Sequence, residues 1–409
     1  MFTKPVRAPS VSLGRYDAVV VGAGLLGLAT ARALEERTPN IRVAVLDKEP
    51  DVARHQSGHN SGVIHSGVYY KPGSLKARLC REGGEQLRRF CDRCGIRYQP
   101  IGKLIVAVDQ TELPRLEELH RRGVDNGIGD IRMVDASQIP AVEPHAAGVA
   151  ALHLPSVAVV DYSAVALALA EGLRESGVEV RLSHRVLRLE YSNGEVVVDT
   201  DRGRLSSGLV VNCAGLQADV VARSSGSRSP VEIVPFRGEY YLLRRSRSHL
   251  VRGLIYPVPD PELPFLGVHF TPRTDGSVEA GPNAVLALAR EGYSASDIDP
   301  RSIRLLAAYP GFYRMAARWW RTGISEVLRS ASSRRFVASL KKLVPEIQSD
   351  DVVRAGAGVR AQAVRPDGSL ADDFVFSRTP GVLHVLNAPS PGATASLAIG
   401  RYIAEQAWE

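Results

Sequence analysis

The chain has 409 residues, 44% of them hydrophobic and 23% charged, with a formal net charge of +7. That length and balance describe an ordinary globular protein of two or three domains, and the absence of any run of eighteen or more apolar residues argues against a transmembrane helix. The excess of basic residues fits either a solvated surface or attraction to an anionic partner such as a membrane surface or an acidic metabolite; they do not interleave with aromatic residues, so nucleic acid is not an expected partner.

The N-terminal stretch lacks an apolar export core ending in a small-residue cleavage site, and the four cysteines are few. Together these predict a reducing, cytoplasmic location. The first apolar run, residues 18–21, reads as a buried parallel strand. Gly22-x-Gly24-x-x-Gly27 then opens a helix whose apolar face is Leu25, Leu28, Ala29 and Leu34, and a second strand ends at Asp47. Gly22 permits the tight turn, Gly24 lets the backbone approach a pyrophosphate at the helix N-terminus, and Gly27 lets helix and strand pack closely. Asp47 is placed to accept hydrogen bonds from a ribose diol, with Lys48 beside it. The ordered set of strand, glycines, helix, strand and acid predicts a dinucleotide site without deciding between NAD and FAD.

Residues 58–83 follow, dense in Gly, Ser, His and Asn, and a helix is expected from about residue 74 to 94. Cys91 and Cys94 form a single CxxC that fits one helical turn ending at Gly95; no second CxxC or CxxH completes a metal site, so a structural role is expected and no metal. An NAD domain would continue with further βα units. Here the pieces return later: helix, strand and a hairpin turning at Asn193-Gly194, an apolar strand ending at Ala214-Gly215, and a C-terminal strand, loop and helix starting near Gly392 or Ala393. The free N–H groups of that last helix would favour negative charge on a reduced flavin. The reading is therefore α/β: an FAD-binding Rossmann-like domain (1–95, 150–228 and 350–409) interrupted by an α+β substrate domain with an antiparallel sheet (96–149 and 229–349).

The stretches "HQSGHNSGVIHSGVYYKPGSLKARLC", "PFRGEYYLL", "YPVPDPELPFLGVHFTPRTDGSVEAGPNAVLA", "GVRAQAVRPDGSLADDF" and "NAPSPGATASLAIG" resemble the L-2-hydroxyglutarate dehydrogenase/oxidase family of the FAD-dependent D-amino-acid-oxidase-like superfamily. The resemblance runs from Tyr16 onward; Asp47 stands where the family has Glu, and residues 294–344 match less well. It implies that the loop at Ser57, His59, Asn60, Ser61 and Gly62 passes along the flavin. It implies further cofactor contacts at Val186, Ala214, Gly215, Gly358, Gly392, Ala393 and Thr394. The implied reaction is oxidation of the C2 alcohol of (S)-2-hydroxyglutarate to 2-oxoglutarate, with electrons passed to quinone or oxygen.

Such a reaction needs a base for the hydroxyl proton and cations for two carboxylates. His269, on a presumed substrate-domain strand, is the preferred base, and His65 then orients flavin or substrate. Each also reads as a hydrogen-bonded structural histidine. Arg pairs bidentately with carboxylates, and the candidates are Arg237, Arg360 and Arg365, the last equally readable as a structural ion pair. Tyr69, Tyr70 and Tyr241 are hydroxyl donors or core aromatics. An oxidase of an amino acid, secondary amine or other 2-hydroxy acid on the same fold is the alternative. A nicotinamide-dependent dehydrogenase or a binding protein without chemistry are the others.

Between Arg314 and Lys342 the chain holds eight basic residues against one acid, Glu326. Met315, Trp319, Val327, Phe336 and Leu340 recur at spacings of helices broken near Gly323. Such segments either pack on the substrate domain or lie peripherally in a membrane interface on the cytoplasmic face, where a quinone would be reached.

Overall fold

The computed structural model describes residues 11–260 and 266–408. The first ten residues, part of the stretch read as lacking an export core, lie outside the described residues, as do 261–265 of the family-like motif and residue 409. Strand Ser12–Val21 lies at the centre of five parallel strands ordered Val382–Asn387, Arg204–Asn212, Ser12–Val21, Val43–Leu46, Glu179–Arg181. Its last four residues and all of Val43–Leu46 are buried, as an all-apolar strand covered on both faces must be. Helices Leu25–Arg37, Tyr162–Glu175 and Ser396–Ala407 cover one face through Leu28, Leu34, Val165, Leu169, Ile399 and Ile403. The sheet is extended by the hairpin Val186–Ser192 and Glu195–Thr200, which turns at Asn193 (φ 52°) and Gly194 (φ 83°), the left-handed pair a two-residue turn demands.

A second, nine-stranded sheet is antiparallel except where Leu254–Pro257 runs parallel to Lys103–Ala107. Its longest pairing joins Glu232–Leu243 to Val352–Val364. Two segments expected in the cofactor domain belong here: Ala150–Leu154 pairs with Lys103–Ala107, and Val352–Val364 with Glu232–Leu243. The chain thus crosses back later than the sequence boundaries at 150 and 350, because an apolar run does not announce which sheet it joins. A small three-stranded sheet, Val63–Ile64, Ala158–Val160 and Tyr98–Pro100, lies on the path between them.

Helix Leu75–Cys94 starts at Ser74, whose side chain accepts from the Ala77 N–H, and ends at Gly95 in the left-handed region (φ 66°). Cys91 is buried and Cys94 exposed, both free thiols. Two helix expectations change. The C-terminal helix starts at Ser396, three or four residues after Gly392 and Ala393, which lie in a preceding turn. Helix Pro310–Ala331 runs through Gly323 and is interrupted instead at Trp319 (φ −113°, ψ 17°); Ser332 then caps a separate helix, Ser333–Leu340. Gly323 has open space around it, and an exposed glycine costs a helix only about 1 kcal/mol relative to alanine.

Candidate active site

A cleft of about 1270 Å³ is lined by both sheets and by the loop that follows the second strand. It exceeds the roughly 300–1,000 Å³ usual for drug-sized ligands, as a dinucleotide plus a substrate requires. One end is the glycine turn. Gly22 has φ +112°, and a Cβ there would lie 2.5 Å from the Cys213 carbonyl oxygen. A Cβ on Gly27 would lie 1.8 Å from the Gly22 carbonyl oxygen, so Gly27 seats the helix on its strand without lining the cleft. Gly24 opens on the cleft and touches only Ser57, whose Oγ accepts from the Leu25 N–H at 2.9 Å. Asp47 lines the same end; its two oxygens accept from the Ala23 and Glu49 N–H groups at 2.7 and 2.9 Å. Gly24 leaves a space on the cleft that a side chain would fill, Gly22 and Gly27 hold the turn that presents it, and the arrangement fits a bound FAD.

Ser57, His59, Asn60 and Ser61 line the cleft, as do Val186, Ala214, Gly215, Gly358, Gly392, Ala393 and Thr394. Several also carry structure. Asn60 accepts from the Gly62 N–H and donates to the Gln56 and Ser57 carbonyls, holding the loop by its own turn bonds. Gly62 (φ 70°) fits against the Val160 carbonyl and does not line the cleft. A Cβ on Gly358 would lie 2.6 Å from the His59 carbonyl oxygen, so this glycine lets the loop close onto the second sheet. His59 stacks on Tyr293 with centroids 4.2 Å apart. The buried Thr394 hydroxyl is shared among the His65 N–H, Tyr162 and the Val63 carbonyl. Lys48 sits inside a group of Glu49, His55 and Glu291, 2.9 Å from Glu291 and 3.0 Å from His55 Nε2. These three would suit a cation, but the lysine ammonium already takes that place.

At the opposite wall stand the two histidines. His269 opens strand His269–Pro272 and is 6% exposed. Its Nδ1 lies 2.8 Å from the Gly267 carbonyl oxygen; a carbonyl only accepts, so Nδ1 carries the proton and Nε2 keeps its lone pair. Tyr256 stacks on the ring at 3.8 Å. Burial drives the His269 imidazole down to about 3, with the Gly267 bond opposing and Lys103 and Arg360 adding to the push. His65 is likewise driven down to about 3 by burial, then by Lys103 and His269. Both rings are therefore neutral before substrate arrives. Tyr70 lines the cleft and shares a hydrogen bond with Ser390 at 3.2 Å.

The three arginines separate. Arg360 lines the cleft, directly across the pair from Phe236. Arg237 does not: it is 7% exposed, paired with Glu239 at 2.9 Å, and donates to the Ser294 carbonyl. Arg365 is exposed in a turn and donates to the Leu370 carbonyl. Tyr241 packs on Phe336 in the second core, its hydroxyl buried without a partner. The cause is strand alternation: Phe236, Gly238 and Tyr240 face the cleft, so Arg237 and Tyr241 point away. Counting in twos from Gly238 would have found Tyr240 in place of Tyr241. Tyr256 and Lys103 carried no sequence signal beyond lying in apolar strands.

Comparison with known proteins agrees with this geometry. The family described as FAD dependent oxidoreductase (DAO) matches residues 17–406. The chain is 47% identical to the L-2-hydroxyglutarate dehydrogenase of Indibacter alkaliphilus, over 96% of this chain and 98% of that one. It is 44% identical to the human mitochondrial L-2-hydroxyglutarate dehydrogenase, over 97% and 89%. Among solved structures, the L-alpha-glycerophosphate oxidase of Mycoplasma pneumoniae with FAD bound superimposes with a TM-score of 0.76 at 24% identity, covering 95% of this chain and 93% of that one. The cofactor is FAD, and the chain belongs to the FAD-dependent oxidoreductases of the DAO family and, within them, to the family of the L-2-hydroxyglutarate dehydrogenases.

Proposed function

We propose that this chain oxidises the C2 alcohol of L-2-hydroxyglutarate to 2-oxoglutarate. The observation that carries the reading is one wall of one cleft holding both a histidine with a free Nε2 and an arginine, opposite a glycine cradle. FAD, when bound, supplies the acceptor for the C2 hydrogen with its electron pair. His269 Nε2 takes the hydroxyl proton as the C2–O bond gains its second bond, and the Gly267 carbonyl holds the imidazole in the tautomer that can do so. Arg360 anchors a carboxylate and so fixes which face of C2 is presented. His65, on the same wall, orients flavin or substrate. Arg360→Ala should leave flavin content unchanged and raise KM for the dicarboxylate, at a cost of about 1.5–3 kcal/mol. Steady-state kinetics check this; an unchanged KM removes Arg360 from the site. Arg237→Ala is expected to act on stability instead, since it removes the cation paired with Glu239 and leaves that carboxylate only its bonds from Asn283 and Ser330.

For the electron acceptor we infer a quinone reached from the inner face of a membrane. No helix among the described residues is long and apolar enough to cross one. The observation favouring peripheral contact is the outer side of helix Pro310–Ala331, where Tyr313, Trp320, Ile324, Val327 and Leu328 are exposed among Arg318 and Arg321. Met315, Phe336 and Leu340 pack inward, whereas Val327, expected to recur with them, is exposed. The protein should sediment with anionic liposomes at low salt and be released as salt screens the attraction. Protein remaining in the supernatant at low salt would leave these arginines merely solvated.

A further inference from the structure

Behind the cleft wall a lysine side chain is buried with no carboxylate paired to it. Lys103 opens the strand Lys103–Ala107, every residue of which is buried, and is itself 3% exposed. Its ammonium lies 3.7 Å from the ring centroid of Tyr256 and 4.5 Å from that of Tyr69. Among the described residues no carboxylate and no hydrogen-bond acceptor pairs with it. The ionisable groups that feel Lys103 are the neutral His65, from its loop, and His269, from its strand, and the further charge acting on His269 is the positive Arg360 of the long strand in the second sheet. The carboxylate that acts on Tyr256 and Tyr240, Glu279, is engaged by Arg273. Burial accordingly holds the Lys103 ammonium well below its ordinary value.

An unpaired ammonium in the interior is expensive, and a methionine or leucine would pack there without that cost. Two further facts point at what completes it. Both tyrosines line the cleft, and the Tyr69 hydroxyl is buried with no partner. The ammonium has only donors to offer, and the hydroxyl has a proton to give. A carboxylate has only acceptors. Tyr256 in turn stacks on His269, so the ammonium, the ring and the base form one packed column.

We propose that Lys103 is a positioning residue for the anionic substrate: its charge is completed by a substrate carboxylate at the Tyr69–Tyr256 wall, and it acts through those two rings. The proposal rests on the reading of a 2-hydroxy acid as substrate. An anionic reduced cofactor would be another source of negative charge, and a probe that binds the oxidised protein separates the two.

The test is Lys103→Met in the flavin-bound, oxidised protein, melted with and without 2-oxoglutarate and then assayed. Without ligand the variant should melt at or above the wild type, since a buried amine without a paired carboxylate has gone. It should lose most of the rise that saturating 2-oxoglutarate gives the wild type. KM for the substrate should rise about 10- to 100-fold with a smaller change in kcat, and Lys103→Arg should restore most of that loss. A normal 2-oxoglutarate-induced rise together with a normal KM in Lys103→Met overturns the proposal, leaving a structural lysine or one that answers only the reduced cofactor. If Lys103→Met does not accumulate with flavin, Lys103→Gln carries the same comparison. A wild type reduced by some other 2-hydroxy acid sinks the choice of substrate but not this inference, and that acid with its keto product then replaces the probe.

Discussion

His269→Asn should slow reduction of the flavin by substrate about 10²–10⁴-fold, the usual range for losing a general acid–base, while flavin should stay bound and reoxidation should change little. Asparagine can keep the bond to the Gly267 carbonyl and part of the ring's volume, but it offers no lone pair of imidazole basicity. The fixed tautomer is why a large loss is expected: Nδ1 is committed to a carbonyl at 2.8 Å and Tyr256 stacks on the ring, so Nε2 keeps its lone pair in a side chain that lines the cleft. The pH profile follows with its sign. Burial holds the free imidazole down to about 3, so the acid limb of kcat/KM, which reports the free enzyme, lies below the ordinary imidazole range. Substrate carboxylates favour the imidazolium, so the acid limb of kcat, which reports the complex, lies at higher pH than that of kcat/KM. Stopped-flow reduction across pH checks both. If His65→Asn alone shows the slowed reduction, the two histidines exchange roles.

Gly24→Val should yield a folded protein without flavin. A Cβ at Gly24 meets only the end of the Ser57 side chain, at 2.9 Å, and the buried strands beneath are untouched. The added branched side chain instead projects into the cleft where the pyrophosphate has to approach the helix N-terminus. Gly27→Ala is the contrasting variant: its Cβ would fall 1.8 Å from a backbone oxygen of the turn, so the defect is in the fold itself. Absorbance near ~450 nm, where bound flavin is expected, relative to protein, read beside circular dichroism, separates the two. A Gly24→Val protein that keeps its full flavin would show that the glycine turn does not hold the cofactor.

What could be read from the chain divides along physical lines. The glycine turn, the Asn193-Gly194 hairpin and the cap at Gly95 are local: each needs a backbone conformation or an approach that few residues allow, so the residue type announces the structure. Arg360 stands out in the sequence because an arginine in an apolar strand needs a partner, and it lines the cleft. Arg237 satisfied the same rule and was misassigned, since its partner is Glu239 two residues on. Tyr241 failed on phase, because one residue along a strand exchanges cleft for core. Lys103 could not be recognised, because "IGKLIVA" is equally the start of a strand whose lysine meets water; only the fold seals it between Tyr69 and Tyr256. Gly323 looked like a helix break, but the break falls at Trp319.

The most direct test is anaerobic titration of the purified flavoprotein with both hands of 2-hydroxyglutarate, with lactate, glycine and sarcosine alongside. The account predicts that the L enantiomer bleaches the flavin in one-to-one proportion and appears as 2-oxoglutarate, while the D enantiomer and the amines leave the spectrum unchanged. Bleaching by glycine or sarcosine, with L-2-hydroxyglutarate inert, would contradict it.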